Sequence, residues 1–308
     1  MDIRVLGSAA GGGCPQWNCA CANCRGARDG SVRIEARRQE SVAVSADGEA
    51  WFLLNASPEI RAQIESFPAL HPRRLRDSPI QGILLTNGDL DHTLGLLSLR
   101  ESQPLVVYAT EAVRRGFVEG NVLYRTLQRT PGQVTWNTLP LGGEVELTAD
   151  GGASGLSVVA FAVPGKLPIH LEGLPGARSA EDNVGLRIVE RRGGRVLVYL
   201  PAVGRVTAEV RSLARDADCL FFDGTFWSED ELVRIGASER RASDMAHVPI
   251  GGEGGSLASL TPAPGRTPIR VYIHLNNTNP VLREDSPERA AAQRAGWRIA
   301  RDGMEIAL

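Results

Sequence analysis

The sequence predicts an α/β chain folded as a four-layer αββα sandwich, with two mixed sheets face to face and helices outside. Three observations carry this. Short apolar runs alternate with helical patterns in two successive halves of the chain. Polar turns rich in glycine follow those runs directly. The acids and histidines with ligand chemistry fall in such turns, where layered α/β sheets hold their ligands.

The first run, Ile3-Arg4-Val5-Leu6, is a strand that enters Gly7-Ser8-Ala9-Ala10-Gly11-Gly12-Gly13. The dinucleotide fingerprint and the P-loop ending are both absent, so the glycines read as a tight loop where backbone packs closely. Ser41 to Ser45 and Trp51 to Asn55 flank an Asp-Gly turn and form a hairpin. Ser57-Pro58-Glu59 reads as a helix start, with serine at the N-cap and proline at N1, and Ile60, Ile64 and Phe67 make its apolar stripe. A strand from Pro104 to Ala109 precedes a helix capped by Thr110. Residues 155–161 form a strand, and 172–182 form a loop able to cover a substrate. Val184 to Glu190 and Arg195 to Leu200 make a second hairpin. Helical pattern over 206–214 leads to the buried strand Cys219 to Phe222. Ile269 to Ile273 is a further strand, Ser286-Pro287 caps a helix, and Trp297 opens a last strand.

The 308 residues suit one domain over 1–308, with 43% hydrophobic and 23% charged residues. A formal charge of −2 leaves no footprint for nucleic acid or an anionic membrane. No apolar run is long enough to span a bilayer, and Met1-Asp2-Ile3-Arg4 does not open a secretory signal. Four of the five cysteines fall between residues 14 and 24, a spacing that points to metal binding in a cytoplasmic protein. Cys19, Cys21 and Cys24 can converge on one zinc ion, whereas free thiols in a loop are the plain alternative. Cys14 is a weaker candidate, and the fourth ligand is not local.

The stretch Ile83 to Leu97 is a strand, a polar loop and a helix. Asp89, Asp91 and His92 in that loop are donors for a hard or borderline divalent metal. The same acids serve equally as helix caps. Asp223 ends the strand Cys219 to Phe222, and the turn before a glycine accounts for it as well. His247 and His274 also lie in polar turns beside apolar segments, and the chain has only five histidines. Lys166, in a Pro-Gly turn, is either an acid-binding residue or a solvated surface lysine.

Together these residues resemble the metallo-β-lactamase fold family, whose metal loop is His-x-His-x-Asp-His after a strand. Asn87 and Asp89 stand where its first two histidines would be, and Asp91 and His92 match. Asp223 and His274 resemble the bridging aspartate and the final histidine. Cys19, Cys21 and Cys24 resemble the structural zinc site of a phosphodiesterase branch, with Asn277 where that branch has a histidine. The fourth place there falls to Asn277 oxygen, His274 or water.

Longer motifs, Val5 to Gly13, Pro15 to Cys19, Leu54 to Pro58, Leu85 to Asp89, Phe222 to Thr225 and His274 to Leu282, resemble the branch that acts in pyrroloquinoline quinone (PQQ) biosynthesis. Cys14 and the residues around His247 depart from its usual pattern. The resemblance implies a cytoplasmic step on a small-molecule or short-peptide PQQ precursor, alongside other PQQ biosynthesis proteins, with a homodimer as an option. Three activities follow. The first is hydroxylation of the tyrosine-derived ring by Fe2+ held among Asp89, Asp91, His92, His247 and His274, with Asp223 as partner or ligand. The others are a carrier role in moving PQQ toward the periplasm and metal-dependent hydrolysis. Lys166 and Asn276 stand as substrate contacts. Loss of the two loop histidines favours the single-metal oxygenase.

Overall fold

The computed structural model describes residues 1–172, 178–263 and 265–308. Fourteen strands occur among them: β1 (Asp2–Gly7), β2 (Ser41–Ser45), β3 (Trp51–Leu54), β4 (Ile80–Leu84), β5 (Leu105–Ala109), β6 (Val134–Thr138), β7 (Glu144–Ala149), β8 (Gly152–Ala162), β9 (Val184–Glu190), β10 (Val196–Leu200), β11 (Cys219–Asp223), β12 (Ile269–Ile273), β13 (Trp297–Ile299) and β14 (Glu305–Ala307). They form two seven-stranded sheets, ordered β14-β1-β2-β3-β4-β5-β6 and β13-β12-β11-β10-β9-β8-β7.

Strand alternation builds the layers. Val42, Val44, Phe52, Leu54 and Leu84 of the first sheet join Leu197, Tyr199, Phe221, Val271 and Ile273 of the second in one core between the sheets. Ala43, Leu53, Ile83, Leu85 and Val107 point the other way and pack on Ile60, Leu96, Val113 and Phe117 of the first helical layer. Val198, Leu200, Leu220, Phe222 and Tyr272 do the same against Val210, Ala214 and Ala292. Strands buried on both faces read as continuous apolar runs, which is why they were visible in the sequence. The predicted four-layer αββα arrangement is the one observed.

Within each sheet a block of parallel strands sets the site. β3, β4, β5 and β6 run parallel, as do β10, β11, β12 and β13. Their C-terminal ends carry the turns after Leu54, Leu84, Leu200, Asp223 and Ile273. β2 is antiparallel to β3, so the start of β2 and the end of β1 reach the same edge.

Several local expectations need correction. The helix after Ser57 spans Ile60–Glu65, with Glu59 at its N-cap position and no side-chain cap; the Ser57 hydroxyl instead contacts Glu59. The run after the metal loop is one α-turn, Leu90–Thr93, continued as a 3-10 segment, Leu94–Ser98. β6, β7 and β14 had no clear sequence signal, since their residues are largely half-exposed or exposed and few. The helical pattern at 206–214 is realised as Ala208–Asp216, capped by Thr207. Of the loop proposed at 172–182, residues 173–177 lie outside the described residues. No helix among the described residues is long and apolar enough to cross a membrane.

The close backbone approach expected in the first glycine loop is present at Gly7, where an added Cβ would lie 2.0 Å from Gln39 O and 2.5 Å from Gln63 Nε2. Gly7→Ala is therefore expected to lower the unfolding free energy by about 2 kcal/mol or more, read by urea denaturation. An unchanged midpoint would contradict this packing.

Candidate metal centre

The strand ends bring Asp91, His92, Asp223, His247 and His274 together. Ligand atoms of Asp91, His92 and His274 form one group within 4.8 Å, and those of Asp223, His247 and His274 form a second. His274 Nε2 lies 3.2 Å from Asp91 Oδ2, and His92 Nε2 lies 3.9 Å from the same oxygen. His92, Asp223, His247 and His274 are buried.

The second group is a hydrogen-bonded support. Asp223 Oδ2 accepts from Val203 N–H at 2.8 Å and pairs with His247 Nδ1 at 2.7 Å. Its Oδ1 accepts from Thr225 N–H at 2.9 Å and from the Thr225 hydroxyl at 2.6 Å. The Thr225 hydroxyl has one hydrogen. With that hydrogen committed to Asp223, the oxygen accepts from His274 Nδ1–H, 2.8 Å away. This network assigns Nδ1–H tautomers to His247 and His274 and leaves both Nε2 lone pairs available. His274 adopts φ +58°, and Asn55 and Ala246 nearby also lie in the left-handed region, at +63° and +58°. Such backbone is costly for residues other than glycine and is typical of functional edges.

The electrostatics favour a cation. Burial pushes the Asp91 carboxyl up, but His92 and His274 outweigh it and hold it well below the ordinary carboxylate range. Burial holds His92 neutral, down to about 4 despite Asp91. Burial would also lower His274, but its bond to Asp91 and the charges of Asp91 and Asp223 raise it. A divalent ion can take the place of the His274 proton beside the ionised Asp91, and the unpartnered buried His92 Nε2 is a free donor. The donor set therefore fits a metal.

Asp89 sits apart from both groups. It occupies the helix N-cap position without a side-chain cap bond, so the capping alternative is not realised. Its carboxylate lies 4.0 Å from Lys166 Nζ, and burial is the main cause that raises its pKa. Asn87 is engaged at both ends of its amide, donating to Asn183 Oδ1 at 3.1 Å and accepting from Asp89 N–H at 2.9 Å. A cavity of about 290 Å³ opens over the centre, lined by Asp89, Asp91, Lys166, His247, His274 and Asn276 with Leu90, Ile169, Phe226 and Met245. Asn276 Nδ2 donates to the Thr278 hydroxyl at 2.6 Å.

Cys19, Cys21 and Cys24 form a separate group within 4.8 Å. Cys21 stands at the N-cap of the helix Ala22–Asp29, and backbone N–H groups of Gln16, Cys21 and Cys24 point at the three sulfurs. Burial raises the Cys21 thiol to about 11, whereas hydrogen bonds outweigh burial at Cys19 and lower it. Three sulfurs at this spacing would need a cation to be held together as thiolates, so the donor set fits zinc. The Asn277 amide lies 3.2 Å from the Cys19 and Cys24 sulfurs and 3.7 Å from Cys21. His274 faces the carboxylates and not the cysteines, which removes it as the fourth ligand. Cys14 lies outside the group, and burial raises its thiol to about 12.

Sequence reading missed Glu40, Asn55, Thr86 and Thr225. Glu40 is fully buried, its pKa pushed up to about 8 by burial, and its Oε2 lies 3.5 Å from His92 Nε2. Its only sequence signal was an acid directly before an apolar strand. Thr225 follows Asp223 by two residues in a turn, a signal shared with many ordinary turns.

Residues 50–275 match the model of the beta-lactamase superfamily domain. The chain is similar over its whole length to coenzyme PQQ synthesis protein B of Methylorubrum populi, at 45% identity with 100% of both covered. It is similar to the solved structure of Zn(2+)-bound PqqB from Methylobacterium extorquens, at 45% identity, a TM-score of 0.91 and 100% of both chains covered. A diphosphatase from the PhnP family shares the fold at 20% identity, with a TM-score of 0.63 over 99% of this chain and 96% of that one.

Thr225→Val keeps side-chain shape but strands His274 Nδ1 and leaves Asp223 Oδ1 only the backbone N–H of residue 225. It should weaken divalent-metal binding roughly tenfold or more and cost about 1–3 kcal/mol of stability, measured by chelator competition and denaturation. Metal affinity equal to the parent's would contradict the orienting role.

Proposed function

The chain belongs to the coenzyme PQQ synthesis protein B family of the beta-lactamase superfamily, and we propose that it is a metal-dependent hydroxylase acting on the tyrosine-derived ring of a PQQ precursor. The observation that carries this reading is the donor set. Asp91, His92 and His274 form one donor group, His247 is held in a second with Asp223, and Asn87, in the place of a loop histidine, is spent on Asn183 and the Asp89 backbone. A two-metal hydrolase needs donors on both sides of a bridging hydroxide, and Asn87 offers none.

Asp91, His92 and His274 would hold the ion through Asp91 Oδ2 and the two Nε2 atoms. Fe(II) on histidine and carboxylate ligands with open positions supplies O2 binding and activation. The protein's own groups position the substrate. Leu90, Ile169, Phe226 and Met245 give the cavity an apolar wall suited to an aromatic ring. Lys166 and Asn276, at the same cavity, would pair with the precursor's carboxylate and polar groups. His247, its Nδ1–H held by Asp223, presents Nε2 as a base for a phenolic proton. Asp89 beside Lys166 fixes that ammonium near the cavity mouth. Cys19, Cys21 and Cys24 would carry a structural zinc, with Asn277 beside the fourth corner. All five cysteines are free, which fits a cytoplasmic setting.

The test is a single-turnover experiment. Chain loaded anaerobically with Fe(II) is mixed with the tyrosine-like precursor, isotopically labelled O2 and a two-electron reductant such as ascorbate, so that one oxygen atom enters the ring and the other leaves as water. The expected product has gained one labelled oxygen atom. Metal bound with no oxygen incorporated, or oxygen derived from water, would overturn the hydroxylase reading.

A further inference from the structure

Four residues close a ring behind the metal centre. Asn55 Nδ2 donates to Glu40 Oε2 at 2.9 Å. The Thr86 N–H and hydroxyl both donate to Asn55 Oδ1, at 3.0 and 3.1 Å. The Thr86 hydroxyl oxygen lies 3.3 Å from His92 Nδ1. With its one hydrogen committed to Asn55, that oxygen accepts from His92 Nδ1–H, so His92 Nε2 carries a lone pair. That nitrogen is 3.5 Å from Glu40 Oε2. Glu40 is 0% exposed, and both its Oε1 and His92 Nε2 have no hydrogen-bond partner. Two acceptors that face one another in a dry interior repel unless a shared proton or a bound cation lies between them, and the test below separates the two.

We propose that Glu40 is a further residue of the metal centre, the anionic partner of a divalent ion bound at His92 Nε2. It borders the Asp91, His92 and His274 group through His92 and is not among the donors of that group. With Asp91 it brings two carboxylates to the His92 side, matching the charge of a divalent ion and favouring one that accepts oxygen donors, such as Fe(II), over a softer ion. Asn55, held in a left-handed backbone conformation at φ +63°, fixes both the carboxylate and Thr86, so one residue sets the acid and the His92 tautomer together. Glu40 is therefore a positioning and charge-balancing residue. This rests on the metal-centre reading above but not on the hydroxylation itself.

The test compares parent, Glu40→Gln and Glu40→Ala chains, each with the cysteine site filled with zinc. Fe(II) affinity is read anaerobically by chelator competition, and Co(II) absorption reports the ligand field. Both substitutions should weaken Fe(II) binding roughly tenfold or more and shift the Co(II) bands, while zinc content and the melting profile of the zinc-loaded chain show that the fold persists. Glu40→Asp, which keeps the charge, should retain part of the affinity. Glu40→Ala binding Fe(II) as tightly as the parent, or more tightly, would overturn the proposal, because removing an acid that merely shares a proton with His92 frees Nε2. If Glu40 controls Fe(II) affinity but no precursor is oxygenated, the hydroxylase reading fails and this one stands.

Discussion

The site depends first on the Asp223 carboxylate. It ends β11 at the parallel edge of the second sheet and takes four hydrogen bonds, from Val203, His247 and twice from Thr225. Each hydrogen bond to a charged group contributes roughly 1.5–3 kcal/mol, enough in sum to keep a fully buried carboxylate ionised, and its pKa is lowered although burial alone would raise it. Everything downstream follows from that anchor. It orients His247 directly and His274 through the Thr225 hydroxyl, and thereby turns two Nε2 atoms toward the cavity and Asp91.

The two sheets contribute differently to the centre. The second supplies Asp223 and the two imidazoles held through Nδ1. The first supplies Asp91, His92 and Glu40, from turns after β4 and before β2. The centre therefore lies across the edge where the two sheets meet, and the inter-sheet core that spaces Phe52, Leu54 and Leu84 against Tyr199, Phe221 and Ile273 also sets the distance between its halves.

Much of this was legible in the sequence, for identifiable reasons. Strands buried on both faces left apolar runs, and the turns after them exposed Asp91, His92, Asp223, His247 and His274 as candidates. The clustered Cys19, Cys21 and Cys24 needed no tertiary information. Glu40 and Thr225 were hidden because their roles arise from pairing. Glu40 reaches the site only because β2 runs antiparallel to β3, and Thr225 acts through one hydroxyl hydrogen whose direction a sequence does not encode. Ser57 looked like a cap, but the chain turns once more before the helix begins. Asp89 matched the metal loop by position, yet it lies beside Lys166 rather than with the imidazoles.

The proposed function requires one divalent ion, not a pair, at the strand-edge centre. The direct measurement is metal content per chain after anaerobic loading with Fe(II) and removal of unbound metal, with zinc retained at the cysteines. The account predicts one iron and one zinc in each chain, with the iron lost and the zinc kept when His92 is replaced by alanine. Two irons per chain, or iron unaffected by that replacement, would contradict it.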